Sequence, residues 1–290
     1  MRQTLLALLV SMTSPIALAQ SVDLPKAVYA DPPRDAAHPA RMEVLHIPSG
    51  KLLINGVAYL AAGTGSHPTV VICHGLPGNE KNLDLAQAVR RAGWNAITFN
   101  YRGSWGSPGQ YRFVQNPEDA KAVLAYLRDP ENARKLGIDT GHIAIVGHSM
   151  GGWVAAMVGG DDPAIIGTGL ISAANMGMEA ARPRDEVIAE MADNLESLAG
   201  VTPESMADEA IANAQAFDFR TKASGLATRP LLILSSDDGF APHTDALAAA
   251  VKAEGGASIE TLHMATDHSW SDRRIALQSR VIEWLQSLLN

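Results

Sequence analysis

One cysteine, Cys73, is all that the 290 residues contain, so an internal disulfide is excluded and stability has to come from packing. Cys73 closes the apolar run Val70-Val71-Ile72, the place of a buried strand residue rather than of a reactive thiol. No run of Lys or Arg occurs and the formal net charge is −8 at pH 7. The basic footprint that grips phosphate backbones is therefore missing, which argues against a nucleic-acid partner. A metal hydrolase would need clustered ligands such as H-E-x-x-H, and a dinucleotide enzyme G-x-G-x-x-G after its first parallel strand. Neither pattern occurs, and the second position holds His74-Gly75-Leu76-Pro77-Gly78 instead. No metal or other cofactor is expected.

What is present is the composition of a globular protein. With 47% hydrophobic and 19% charged residues the chain can bury a sizeable core and is too apolar for a disordered polymer. Its length suits one large α/β domain carrying an insertion. The start of the chain follows a different logic. Met1-Arg2 is followed by the apolar Leu5-Leu6-Ala7-Leu8-Leu9-Val10, then by Pro15 and the small-residue pattern Ala17-Leu18-Ala19 before Gln20. This is the charged, apolar and cleavable order of a secretory signal peptide over 1–19. Ser11, Thr13, Ser14 and Pro15 cut the apolar run far short of a bilayer span. An exported protein, periplasmic or secreted, without stable membrane insertion is expected, beginning near Gln20. Residues 20–40 hold Pro25, Pro32, Pro33 and Pro39 and show no apolar period, which predicts an extended leader on the surface of a domain spanning 41–290.

Within that domain, 42–47 and 52–60 alternate around Pro48-Ser49-Gly50 as an antiparallel pair would. Short apolar runs then follow at 69–73, 96–101, 143–146, 165–171, 231–234 and 259–264. Most lack polar alternation, as suits strands buried on both faces. Helical spacing separates them at 82–92, 118–127, 151–158, 243–253 and 273–289. Strand and helix in turn predict an α/β fold with a mainly parallel central sheet covered on both faces. One stretch breaks the rhythm. Between Ala174 and Thr228 no strand is visible, and helical signals run over 184–198 and 203–215, the latter with Thr202 as N-cap before Pro203. A helical cap over about 175–228, lying above the strand ends where ligands of open α/β sheets bind, is expected.

The strongest local signal is Gly147-His148-Ser149-Met150-Gly151, directly after the run 143–146 and at the start of a helix. Strand, sharp turn and helix are the context of a nucleophile elbow, which strains the serine backbone and needs glycines where side chains would collide with neighbouring backbone. With this motif, with His74-Gly75-Leu76-Pro77-Gly78 and Asn100-Tyr101-Arg102-Gly103 each after a strand, and with the order Ser, acid, His, the chain resembles the α/β-hydrolase superfamily over about 42–290. The resemblance extends to its cap-bearing branch of carboxylesterases, feruloyl-type esterases, dienelactone-hydrolase-like enzymes and prolyl-oligopeptidase-like catalytic domains.

That resemblance implies Ser149 as nucleophile and the backbone amides of Leu76 and Met150 as donors to the oxyanion of a tetrahedral intermediate. It gives His74 a loop-holding role. In the family the acid commonly precedes a proline by four positions, which selects Asp238 ahead of Pro242, with neighbouring Asp237 as the runner-up. Of the histidines that follow, His243 starts a helix and His263 sits in a strand run, whereas His268 lies between the last strand and the last helix, where the family carries its base. The expected chemistry is a two-step acyl transfer to water, with Asp238 steadying the His268 imidazolium.

Substrate contacts are less marked. Met176, Met178, Met191 and Met206 in the cap, with Phe240 and Trp270 beside the acid and base, would line a soft apolar pocket, or the methionines would pack cap onto core. Trp105 would line the leaving-group side or anchor its loop on the core. The partner expected is a small-molecule ester. A peptidase of the prolyl-oligopeptidase type and a noncatalytic binding protein on the same scaffold are the alternatives. The sequence fixes no oligomeric state.

Overall fold

A computed structural model describes residues 24–290; the signal peptide expected at 1–19 lies outside them. A hairpin of β1 (Arg41–Ser49) and β2 (Leu52–Leu60) opens the domain, turning at Gly50 with φ +57°. Then come β3 (His67–Cys73), α1 (Leu83–Arg91), β4 (Asn95–Phe99), α2 (Gln115–Arg128), α3 (Pro130–Leu136), β5 (Ile138–His148), α4 (Met150–Asp161) and β6 (Ile165–Ile171). Short helices follow without a strand: α5 (Met176–Glu179), α6 (Arg184–Ala192), α7 (Pro203–Ala212), α8 (Ala214–Phe217) and α9 (Ala223–Leu226). The chain closes with β7 (Leu231–Ser236), α10 (Ala241–Ala253), β8 (Ile259–Met264) and α11 (Arg274–Ser287).

The eight strands form one sheet in the order β1-β2-β4-β3-β5-β6-β7-β8. β1 and β2 are antiparallel, β2 is antiparallel to β4, and every other pairing is parallel. The unalternating apolar runs have a direct physical cause. Val71 and Cys73 face one core, with Ile145 and Trp153, while Val70 and Ile72 face a second one, with Val146 and Trp284. A strand covered by helices on both sides gains burial from each successive side chain, so a period of two disappears.

Several boundaries differ from those the sequence predicts. α3 has no counterpart among the expected helices, although Asp129 caps it by accepting from the amides of Glu131 and Asn132, Pro130 occupies its first turn and Gly137 ends it with φ +65°. The helix expected over 184–198 stops at Ala192 because the next segment is used otherwise: Ser197 O accepts from Trp105 N, and Ala199 pairs with Gly103 and Tyr111. Thr202 does cap α7, exchanging hydrogen bonds with Ser205. The described part of the leader is not extended throughout. Lys26–Val28 form a 3-10 turn whose Ala27 and Val28 pack on the second core, where Arg91 Nε donates to Ala27 O at 2.6 Å.

Among the described residues no helix is long and apolar enough to cross a membrane. Between β6 and β7, helices α5 and α6 of the insertion and the turn after α6 place Met176, Glu179, Glu190, Met191 and Asn194 around the end of β5.

Candidate active site

β5 ends at His148, and Ser149 follows with φ +58° and ψ −127°, a conformation that costs energy for a residue with a Cβ. The turn survives because its flanks are glycine. A Cβ on Gly147 would lie 1.9 Å from the carbonyl oxygen of Gly151, and one on Gly151 would lie 2.1 Å from that of Cys73. Both obstacles are backbone and cannot rotate away. Gly147→Ala is therefore expected to destabilise the fold by roughly 3 kcal/mol or more, the upper range of overpacking costs. A melting temperature equal to that of the unsubstituted protein would contradict the geometry.

Gly75 brings the loop after β3 against this turn, since a Cβ there would lie 2.8 Å from Ser149 Cβ. Leu76 and Met150 accordingly share a cavity with Ser149. Met150 opens α4, so its N–H has no carbonyl one turn back within the helix and lies at the positive end of the helix dipole. The loop is held from behind. His74, buried with its ring tilted by 58° against that of Tyr101 at 4.6 Å, donates from Nδ1 to Gly75 O at 2.8 Å, and burial pushes its imidazole down to about 4, so it is neutral. Trp105 Nε1 donates to Pro77 O at 2.7 Å, Ser197 Oγ donates to the same oxygen, and Lys81 lies 4.0 Å over the Trp105 ring. Trp105 thus braces the loop from outside and does not line the cavities around Ser149. Cys73 is fully buried and its thiol is pushed up to about 12 by burial, as an inert strand residue should be.

The two aspartates separate cleanly. Asp238 Oδ2 accepts from His268 Nδ1 at 2.8 Å, with its side chain 3% exposed, whereas Asp237 is 61% exposed and pairs with His263 at 2.9 Å. Burial by itself would raise the Asp238 carboxyl. Hydrogen bonds from His268, the Phe240 amide and Ser236 overcome that and hold it well below the usual carboxylate range. His268 is further fixed by Phe240, whose ring lies edge-on at 5.5 Å, and by His148, whose Nε2 donates to the His268 carbonyl at 2.8 Å.

Trp270, expected on the pocket wall, is instead fully buried with φ +59°. Its Nε1 donates to Ser172 Oγ at 3.0 Å, and Ser172 bonds Ser236 at 2.7 Å, beneath the Asp238 carboxylate. The polar edge of a buried indole needs a partner, and the serine pair supplies one. His243 is also accounted for without chemistry, since its Nδ1 accepts from Asn175 N at 3.1 Å.

Two cavities meet at Ser149 and His268. One, of about 170 Å³, is walled by Leu76, Met150, Met176, Met191 and Phe240, with Glu179, Glu190 and Asn194 from the cap. The other, of about 140 Å³, is walled by 75–80, His148 and Ser269. An acyl group and a leaving group on either side of one carbonyl need such a pair of spaces. Met206, by contrast, packs fully buried in the first core, so of the cap methionines Met176 and Met191 reach the pocket, Met206 serves packing alone, and Met178, half-buried, belongs to neither. Glu179, Glu190 and Asn194 carried no signal in the sequence, because nothing periodic marks which cap residues turn toward the sheet. A larger cavity of about 700 Å³ between β8 and α11 is walled by Met264, Ile275 and Arg280, and holds neither Ser149 nor His268. Among the described residues no three side chains cluster as metal ligands would.

The model of the family described as the Alpha/beta hydrolase family matches residues 70–277, well over half of the chain. An uncharacterized protein of Mycobacterium tuberculosis is 28% identical over 125 residues, which are 43% of this chain and 43% of that protein. The chain thus spans under half the length of that relative. Among solved structures, a thermophilic and thermostable carboxylesterase cloned from a metagenomic library superposes with a TM-score of 0.66 at 21% identity, over 87% of this chain and 91% of that one. The acylaminoacyl peptidase of Pyrococcus horikoshii gives 0.65 at 15% identity, over 85% of this chain and 41% of that one. At these identities both are likenesses of fold.

Proposed function

The chain belongs to the alpha/beta hydrolase family, and from that premise we propose that it is a serine hydrolase cleaving carboxylic esters of small molecules. The observation that carries the reading is the buried Asp238 bonded to His268, which opens onto the same two cavities as Ser149 on its strained turn. In this reading neutral His268 takes the Ser149 proton as Oγ attacks the ester carbonyl, and the backbone amides of Leu76 and Met150 meet the oxyanion. His268 then returns the proton to the departing alcohol. Water activated by the same imidazole releases the acid and frees Ser149. Asp238, ionised throughout, keeps the Nδ1–H tautomer and stabilises the imidazolium. We place this chemistry outside the cytoplasm, on the strength of the signal-like residues 1–19.

A second reading has one observation in its favour. Glu179 and Glu190 reach the cavity from the cap, sharing Arg182 at 2.9 and 4.0 Å, and a carboxylate pair there suits the ammonium end of a peptide. Ester cleavage remains favoured because an amide demands extended subsites and protonation of a poor nitrogen leaving group. The expected result is a kcat/KM on a p-nitrophenyl acyl ester at least roughly tenfold above that on a matched dipeptidyl anilide, a difference of about 1.4 kcal/mol. Methyl cinnamate belongs in the panel because activated esters are intrinsically easy. Anilide turnover that equals or exceeds ester turnover, leaves methyl cinnamate untouched and collapses in Glu179→Gln or Glu190→Gln would give the site to peptides.

A further inference from the structure

Ser149 and His268 stand on segments more than a hundred residues apart in sequence, and the Asp238 bond alone does not set the distance between them. That bond holds one edge of the His268 ring and ties it to the loop after β7. The loop bearing His268 has further ties to that side of the sheet: Asp237 N donates to Thr266 O, and Trp270 reaches Ser172. One side-chain contact is different in kind. It comes from His148, the residue covalently joined to Ser149, whose Nε2 meets the His268 carbonyl at 2.8 Å across 120 residues of sequence.

Resting on the serine-hydrolase reading above, we propose that His148 is a positioning residue that fixes the separation of Ser149 and His268 through its Nε2–H bond to the His268 backbone. A carbonyl only accepts, so Nε2 carries the hydrogen and Nδ1 is left with its lone pair. Nδ1 is buried and meets no hydrogen-bond partner among the described residues, so it offers a second proton no stabilising contact. His148 is 4% exposed, and its ring lies 4.6 Å from the His268 ring, tilted by 43°. A positive charge there would oppose the imidazolium that His268 becomes during turnover. Burial first, and the neighbouring His268 second, push His148 down to about 3, which keeps it uncharged when His268 takes up its proton. One group therefore supplies a rigid donor, fixed by the end of β5, without adding charge to the site.

The geometry is testable because two amides imitate different edges of the ring. A Gln side chain carries its N–H at the position of Nε2, whereas Asn carries its own at the position of Nδ1. His148→Leu and His148→Asn are expected to lower kcat on p-nitrophenyl butyrate about 10- to 100-fold with KM little changed, the scale of a misplacement near 1 Å. The rate of fluorophosphonate labelling should fall in parallel. His148→Gln should recover kcat to within about threefold of the unsubstituted enzyme, since only the donor position matters to alignment. If His148→Leu melts early or fails to fold, the Gln and Asn pair still makes the comparison, as both keep a polar amide. Equal impairment of Gln and Asn variants, a full kcat in His148→Leu, or a loss confined to KM would overturn the inference. An unsubstituted protein that does not label at Ser149 would instead overturn the serine-hydrolase reading itself.

Discussion

Ser149→Ala is expected to remove ester turnover almost entirely, by a factor on the order of 10⁶ in kcat, the scale at which loss of a serine nucleophile removes the covalent route. The fold should survive. The substitution takes one oxygen from a turn and leaves Cβ, and the flanking Gly147 and Gly151 that make the turn possible are untouched. Circular dichroism and melting should be unchanged while fluorophosphonate labelling disappears. His268→Ala should cost nearly as much, because nucleophile and base act as a unit whose members do not contribute additively. Ester turnover by Ser149→Ala at the rate of the unsubstituted enzyme, with label found on another residue, would end the proposed mechanism.

The second large effect separates two adjacent carboxylates. Asp238→Asn is expected to lower kcat by about 10⁴, the magnitude the same change has in the Ser-His-Asp proteases. The cause lies at His268 Nδ1, which now donates to Asp238 Oδ2. An amide can present its NH₂ there instead, favouring the tautomer with its proton on Nε2, where it cannot accept from serine. The variant also loses the negative charge that stabilises the imidazolium. Asp237→Asn should change kcat by less than about twofold, since exposed pairs contribute little and Asp237 meets His263 in the open. The measurement is kcat for the two variants on one ester, with melting as a control. A crippled Asp237→Asn and an active Asp238→Asn would reverse the assignment while leaving the family and the fold in place.

Much of this protein is written locally in its sequence, and the parts that are not share a physical reason. Unalternating apolar runs identify strands covered on both faces, because Val70 and Val71 each find a core of their own. Gly147 and Gly151 identify the elbow, because only glycine fits against Gly151 O and Cys73 O. The four-residue spacing from Asp238 to Pro242 points to the aspartate that meets His268, since α10 begins just beyond it and sets the direction of the loop. Such signals depend on steric and hydrogen-bonding rules acting over a few residues. They are less able to place helix ends that the tertiary fold overrides, as at Ala192, where the following segment pairs with Gly103 and Tyr111 instead of continuing the helix.

What only the tertiary structure decided is which distant groups converge. Trp270 follows His268 closely in sequence, yet it turns into the core, because its indole N–H finds Ser172 there. Trp105 braces Pro77, Glu179 and Glu190 come down from the cap, and His148 reaches the His268 backbone. Each of these contacts depends on two segments being packed at a particular distance, and no periodicity or turn rule acting along one segment contains that distance. The residue types and their order by themselves determined the scaffold and nominated Ser149, Asp238 and His268. The packing of cap, loop and sheet determined the walls around them, because side chains far apart in sequence meet only after the whole core has formed.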